Sequence, residues 1–329
     1  MKKPATPQAG ATQYGLVPTN PLELKETQKQ AEFLAAATSD NTRIAYRSAI
    51  RNFLAWGGRL PADEAEIIRY LVQQSEHLNP RTLSLRLTAL SQWHRFQGFS
   101  DPCSAPEIRK ILTGISRIHA QPRKKALALG MDGLEQIVAA LSGIGSLKAK
   151  RDCALLQIGY FGGFRRSELV SLQVAWIRWE PQGLMISLPR SKTDQLGQGI
   201  VKAIPYGDGV CCPAKALQAW MSAAGIVSGP LFRRIDQWGH IGTAAMNPAS
   251  VNTVLTQAAK LAKLADSPAL SSHSLRRGMA TSAYRAGASF RDIKRQGGWR
   301  FDGTVQGYIE EADRFEENAT SVLLKTKKR

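Results

Sequence analysis

The apolar positions in the first third of the chain recur at helical spacing, punctuated by caps and breakers. From Leu22 the period is helical, with Leu24, Phe33 and Leu34 on a polar background. Ser39-Asp40-Asn41-Thr42 supplies an N-cap for a helix carrying Ile44, Tyr46, Ile50, Phe53, Leu54 and Trp56, and Gly57-Gly58 ends it. Pro61-Ala62-Asp63 opens a third helix through Ile67, Ile68, Tyr70 and Leu71. Asn79-Pro80 opens a fourth with Leu83, Leu85, Leu87, Leu90 and Trp93, and a fifth spans about 105–118. The pattern predicts an all-helical bundle over 22–118.

Helices are predicted next near 131–141 and 148–162. The alternation Leu184-Met185-Ile186-Ser187-Leu188 then reads as a strand with a partner at 200–205. Segments 213–223, 248–264, 274–286, 290–297 and 302–308 are helical by length and caps. Over 315–324, Phe315, Ala319, Val322, Leu323 and Leu324 make an apolar face that can close its own core or dock on a neighbour. The fold class is therefore mainly α: a helical bundle, then a mainly helical domain over 127–329 with a small antiparallel sheet. Residues 1–21, with Pro4, Pro7, Pro18 and Pro21, read as a flexible arm, and 119–126 as a basic, proline-broken linker.

Charge changes the picture. Lys and Arg number 44 against 26 Asp and Glu, a formal net charge of +18, which points to a polyanionic partner, nucleic acid above all. Residues 1–120 hold 15 basic and 10 acidic side chains, net +5, which leaves +13 to the remainder. The tighter phosphate contacts are therefore expected in the second domain. In the first, Arg43, Arg47, Arg51, Arg81, Arg86 and Arg95 recur at spacings that could line a helix face, and Arg123, Lys124 and Lys125 suit a linker lying along phosphates. Cys103, Cys153, Cys211 and Cys212 lack CxxC spacing, so reduced thiols are expected and no metal site. With no signal-peptide core and no run of 18 apolar residues, a cytoplasmic, nucleoid-associated protein without a membrane span is expected.

Three blocks carry the candidate chemistry. Gly162-Gly163-Phe164-Arg165-Arg166-Ser167-Glu168 puts Arg165 and Glu168 three apart, on one face of a helix, where the carboxylate can orient the guanidinium. Ser272-His273-Ser274-Leu275-Arg276-Arg277 repeats that spacing with a proton-transfer group and a second cation. Gly297-Gly298-Trp299 is followed nine residues later by Tyr308.

In this order and spacing the blocks resemble the tyrosine recombinase (phage integrase) family, over roughly 125–310, and most resemble its Cre-like members. The resemblance implies that Arg165 and Arg276 clamp a phosphate, and that Lys192, in Arg190-Ser191-Lys192-Thr193, is the hairpin lysine. It implies further that Glu168 is the helper acid and that His273, Trp299 and Tyr308 complete the set. Arg166 and Arg277 are expected to touch DNA or solvent, and Lys202 is the rival to Lys192 but lies on the return strand.

Physical logic agrees. Attack on a phosphodiester gathers charge on nonbridging oxygens, which paired guanidinium donors suit. A phenol must lose its proton as it attacks, and His273 is the candidate base or orienter. A lysine on a hairpin loop, Lys192, can protonate the leaving 5′ oxygen, and an indole N–H, from Trp299, can reach the phosphate. The resemblance implies a 3′-phosphotyrosyl intermediate resealed without ATP, metal or other cofactor, through a Holliday junction. It also implies a two-domain clamp on duplex DNA with inverted-repeat sites, and a tetramer exchanging C-terminal helices. The alternatives are DNA relaxation of the type IB topoisomerase kind and a catalytically silent DNA-binding protein on the same fold.

Overall fold

Caps and breakers set the first helices. In α1 (Asp40–Trp56) the Ser39 hydroxyl accepts the Thr42 N–H at 3.3 Å, and Gly57, at φ 106°, ends the helix. Asp63 caps α2 (Glu64–Ser75) through the Glu66 N–H at 2.7 Å. Asn79 caps α3 (Pro80–Phe96), whose first turn holds Pro80, where a missing N–H costs nothing. A fourth helix, α4 (Pro106–His119), completes the first unit. The computed structural model describes residues 26, 28–30, 32–33, 37–119, 121–122, 125–189, 199–312, 320 and 324. The chain divides into two units, Met1–Arg123 and Lys124–Arg329. The predicted arm at 1–21, Arg123, Lys124, Lys192 and most of 315–324 lie outside the described residues.

Phe53, Ile67, Tyr70, Leu71, Leu83, Leu90 and Ile108 form the core of the first unit, and each buried apolar side chain there contributes about 1.5–3 kcal/mol. Phe53 meets Tyr70 edge-on at 5.0 Å. The arginines of the predicted row differ in their surroundings. Arg47, Arg51 and Arg81 are exposed, Arg43 pairs with Asp40, and Arg95 pairs with Asp101 at 2.8 Å. The half-buried Arg86 donates to the Tyr70 hydroxyl at 2.7 Å, because a buried phenol needs a partner, and so braces α2 against α3.

In the second unit α6 (Leu147–Phe161) is central: residues 151–160 are all buried. Packed on it are α5 (Met131–Ile144), α8 (Pro213–Ala224) and α10 (Ser272–Arg285), and α9 (Ser250–Leu261) packs on α5. The short α7 (Arg166–Ser171) follows α6 in the chain; α11 (Phe290–Gly297) and α12 (Asp302–Ala312) come after α10. An antiparallel sheet runs β1 (Ile177–Glu180), β2 (Gly183–Leu188), β3 (Ile200–Pro205), with Leu184 opposite Ile204. A second hairpin, β4 (Arg233–Ile235) and β5 (Ile241–Ala245), and β1 itself were not predicted. No helix among the described residues is long and apolar enough to cross a membrane.

Candidate active site

Arg165 is the N-cap of α7 and not a residue within it. The spacing of three therefore works as a cap: Glu168 reaches back, accepting the Arg165 N–H at 2.9 Å on Oε2 and the guanidinium Nη1 at 2.6 Å on Oε1. The carboxylate is buried and the guanidinium partly so, with side-chain exposures of 8% and 22%. Ahead of Arg165 the chain turns at Gly163, φ 55°, where a Cβ would come within 2.5 Å of Met279 Cε and 3.3 Å of Gly297 Cα. Only glycine accepts both the conformation and the crowding.

The start of α10 is fixed by Asn252, whose Oδ1 accepts the Ser272 N–H at 2.8 Å. His273, in the first turn, is exposed, and Arg276 one turn on is 3% exposed. The Arg276 guanidinium donates through Nη1 to the Gly163 carbonyl and lies 4.1 Å from the centre of the Trp299 ring. Its Nη2 is buried and has no hydrogen-bond partner among the described residues. Gly298, at φ 65°, closes α11 and turns the chain into the buried Trp299. Trp299 stands edge-on to the Tyr308 ring on α12 at 5.7 Å. Arg277, expected to touch DNA or solvent, is largely withdrawn from solvent: it is 6% exposed and lies 5.3 Å over the Tyr308 ring, since α10 is flanked by α6 on one side and α12 on another. Arg166 is exposed, as is Lys125.

Arg165, Glu168, His273, Arg276, Trp299 and Tyr308 are thus gathered, and Lys192 lies outside the described residues. The charges agree with that gathering. Burial, then the neighbouring Arg165 cation, push Arg276 down to about 10 against the pull of Glu168 and Tyr308. His273 is held below its ordinary 6.5 by partial burial and then by Arg276, Arg277, Arg165 and Arg166. These are the marks of a cationic cluster short of anions. Among the described residues no cluster of three or more His, Cys, Asp or Glu forms a metal site, and the four cysteines are buried free thiols.

Sequence reasoning set Lys202 aside as the rival to Lys192 on the return strand, and missed its burial beside the site. On β3 the inward positions are Lys202 and Ile204, and Lys202 is 2% exposed beside the site. Burial first, then Arg276 and Arg165 against the pull of Glu168, push it down to about 7. A lysine at an inward position of an alternating strand was the signal that could have found it.

The phage integrase family profile matches residues 128–314. The chain is 33% identical over 295 residues to the integrase/recombinase xerD homolog of Selenomonas ruminantium, covering 87% of this chain and 86% of that protein. It is 27% identical over 299 residues to the recombinase cre of Escherichia phage P1, covering 84% and 86%. Two solved structures share the fold. One is the XerH site-specific recombinase bound to palindromic difH substrate in a post-cleavage complex, with TM-score 0.59, 18% identity and coverage of 80% and 73%. The other is a lambda integrase (75–356) dimer bound to a COC′ core site, with TM-score 0.58, 17% identity and coverage of 90% and 97%. With the profile spanning more than half its length and a relative matched over most of both chains, this chain belongs to the phage integrase family of tyrosine recombinases.

Proposed function

We propose that the protein is a site-specific DNA recombinase that cuts and rejoins duplex DNA through a 3′-phosphotyrosyl link on Tyr308. The observation that carries this reading is the buried Nη2 of Arg276, a donor without a partner among the described residues, in a cluster with Arg165, His273 and Tyr308. Leaving such a donor unmet costs about 1–3 kcal/mol, and more when charged; a phosphate oxygen would meet it.

Arg165 and Arg276 hold the nonbridging oxygens, with Glu168 fixing the angle of Arg165. The Tyr308 oxygen bonds to phosphorus as the bond to the 5′ oxygen breaks. His273, its proton affinity lowered by partial burial and then by its cationic neighbours, takes the phenol proton, Lys192 gives one to the departing 5′ oxygen, and Trp299 donates its indole N–H to the phosphate. One phosphodiester replaces another of similar energy, so the partner strand's 5′ hydroxyl reverses the step without ATP or metal.

In this reading the first unit is a core-binding domain, and Arg47, Arg81, Lys125 and Arg166, all exposed, are its and its neighbour's phosphate contacts. Two sites are synapsed by four protomers. An apolar groove of about 860 Å³ in the second unit, lined by Phe161, Met185, Val201, Ile204, Met279 and Ile293, supports helix exchange: a neighbour's segment 315–324 has the apolar face to enter it.

The test is covalent trapping. Nicked duplexes carrying candidate sites are incubated with the protein and with Tyr308→Phe, then run on a denaturing gel. A DNA-linked band from the wild type alone is expected. Tight, specific binding with no band from either protein would favour the silent binder, and trapping with relaxation but no exchange between two duplexes would favour the topoisomerase reading.

A further inference from the structure

We propose that Lys202 is a positioning residue for this reaction, its buried ammonium fixing the loop that delivers Arg165 against the turn that delivers Trp299. The inference rests on the recombinase reading of the site. Lys202 Nζ donates to the Gly162 carbonyl at 2.7 Å and to the Gln296 carbonyl, partners 40 and 94 residues away in sequence. Gly162 caps the C-terminus of α6, and Gln296 lies in the last turn of α11. Carbonyls at helix ends lack intrahelical partners and carry the negative end of the macrodipole, so one ammonium satisfies both termini at once.

Each carbonyl stands just ahead of a residue of the site. Three residues beyond Gly162 is Arg165, and three beyond Gln296 is Trp299. The Gln296 side chain strengthens the same junction, donating to Phe161 O at 2.9 Å and Ala203 O at 3.0 Å. A further side of the ammonium faces the Phe164 ring at 4.9 Å. A Cβ on Gly298 would lie 3.9 Å from Nζ, so the turn closes directly over the lysine.

No carboxylate among the described residues lies within ion-pair distance of Nζ, and Arg276 and Arg165 both oppose its charge. Burying a polar amine is costly unless its N–H groups are met, and here the carbonyls of Gly162 and Gln296 meet them. Enclosed by two carbonyls and a ring, Lys202 acts through Arg165 and Trp299 and does not touch the reacting atoms.

The experiment is single-turnover cleavage at saturating protein, on a nicked duplex with the ordinary 5′ oxygen at the scissile bond and on one with sulfur there. Thiolate leaves without a proton, so the sulfur duplex bypasses the general acid. For Lys202→Met we expect duplex affinity within about threefold of wild type and a cleavage rate about 100-fold lower on both substrates, the scale of loss for a displacement of about 1 Å. Lys192→Ala, by contrast, should be slow on oxygen and restored on sulfur.

Restoration of Lys202→Met by sulfur would make Lys202 the proton donor and overturn the proposal, as would a wild-type rate on both duplexes. If Lys202→Met does not fold, Lys202→Gln, which keeps one donor for a carbonyl, should be slowed on both duplexes but by less than 100-fold, and its restoration by sulfur alone would overturn the proposal in the same way. No covalent product from wild type on either duplex would instead overturn the recombinase reading, and the role of Lys202 in it would fall too.

Discussion

Replacing Glu168 with Gln removes one negative charge from the candidate site and almost nothing else. The amide oxygen can still accept the Arg165 N–H now bound at 2.9 Å, so the cap survives, whereas the 2.6 Å ion pair with the guanidinium loses its anion. Breaking a fully buried pair costs about 3–5 kcal/mol because a charge is left behind. Here Arg165 is 22% exposed and water can share the loss, which brings the expected cost to about 2–3 kcal/mol. The second unit has about 200 residues, for which each kcal/mol lowers Tm by about 2–4 °C, so a drop of about 4–12 °C is expected.

The site adds a second expectation. Glu168 opposes the cations of Arg165, Arg276 and Lys202, and a bound phosphodiester would supply some of the missing negative charge. Thermal unfolding of wild type and Glu168→Gln, each alone and with saturating cognate duplex, reads both effects. The deficit should shrink by half or more on DNA. A Tm within about 1 °C of wild type, or an equal deficit with and without duplex, would refute the account of the pair as a charge balance for the phosphate site.

Other outcomes are expected from the same geometry. His273 should titrate below 6.5 in the free protein by NMR. Because the unfolded chain then binds the proton more tightly, stability rises as pH climbs from the folded value to about 6.5 and is lost as pH falls; a measured value at or above 6.5 sinks this. Arg86→Met should destabilise the first unit by about 1–2 kcal/mol by orphaning the Tyr70 hydroxyl, and unchanged stability with weakened DNA binding would mark it as a DNA contact instead. Arg81→Ala should leave Tm unchanged and lower the salt slope of DNA binding by about 1, a result that an unaltered slope would contradict. Gly163→Ala should cost about 2 kcal/mol or more, from left-handed strain and the clash with Met279; calorimetry showing a neutral change would disprove it.

How much of this was legible depended on whether the signal was local. Ser39, Asp63 and Asn79 cap because a short polar side chain before an apolar period has few other uses, and 200–205 and 290–297 were readable to the residue. By contrast β1 is four residues long with exposed Arg178 and Trp179, and β5 is mostly exposed, so neither alternates enough to announce itself. A spacing of three cannot tell a helix face from a cap, and Arg165 with Glu168 is the cap. Arg276 and Arg277 point in different directions from α10, so burying both needs neighbours on two sides, here α6 and α12, and that is tertiary information.

The placement of these cations also bears on why the free site is electrostatically unsatisfied. Arg276 keeps a buried donor unmatched among the described residues, Lys202 has two carbonyls and a ring but no carboxylate beside its amino group, and burial and then the guanidiniums around it lower the proton affinity of His273. One phosphodiester would relieve part of this with a single negative charge. In the proposed reaction the charge on the phosphorus group grows further as the phenolate oxygen adds and before the 5′ oxygen is protonated. A site with positive charge in excess of the ground-state anion therefore gains most where that extra charge develops, which is the condition for accelerating the step and not merely binding the duplex. Glu168 limits the excess by cancelling one cation and fixing its direction. On this argument Glu168→Gln should bind cognate duplex as tightly as wild type or more so while cleaving it more slowly, and a variant that gained in both together would show that the carboxylate sets the charge alone and not the aim of Arg165.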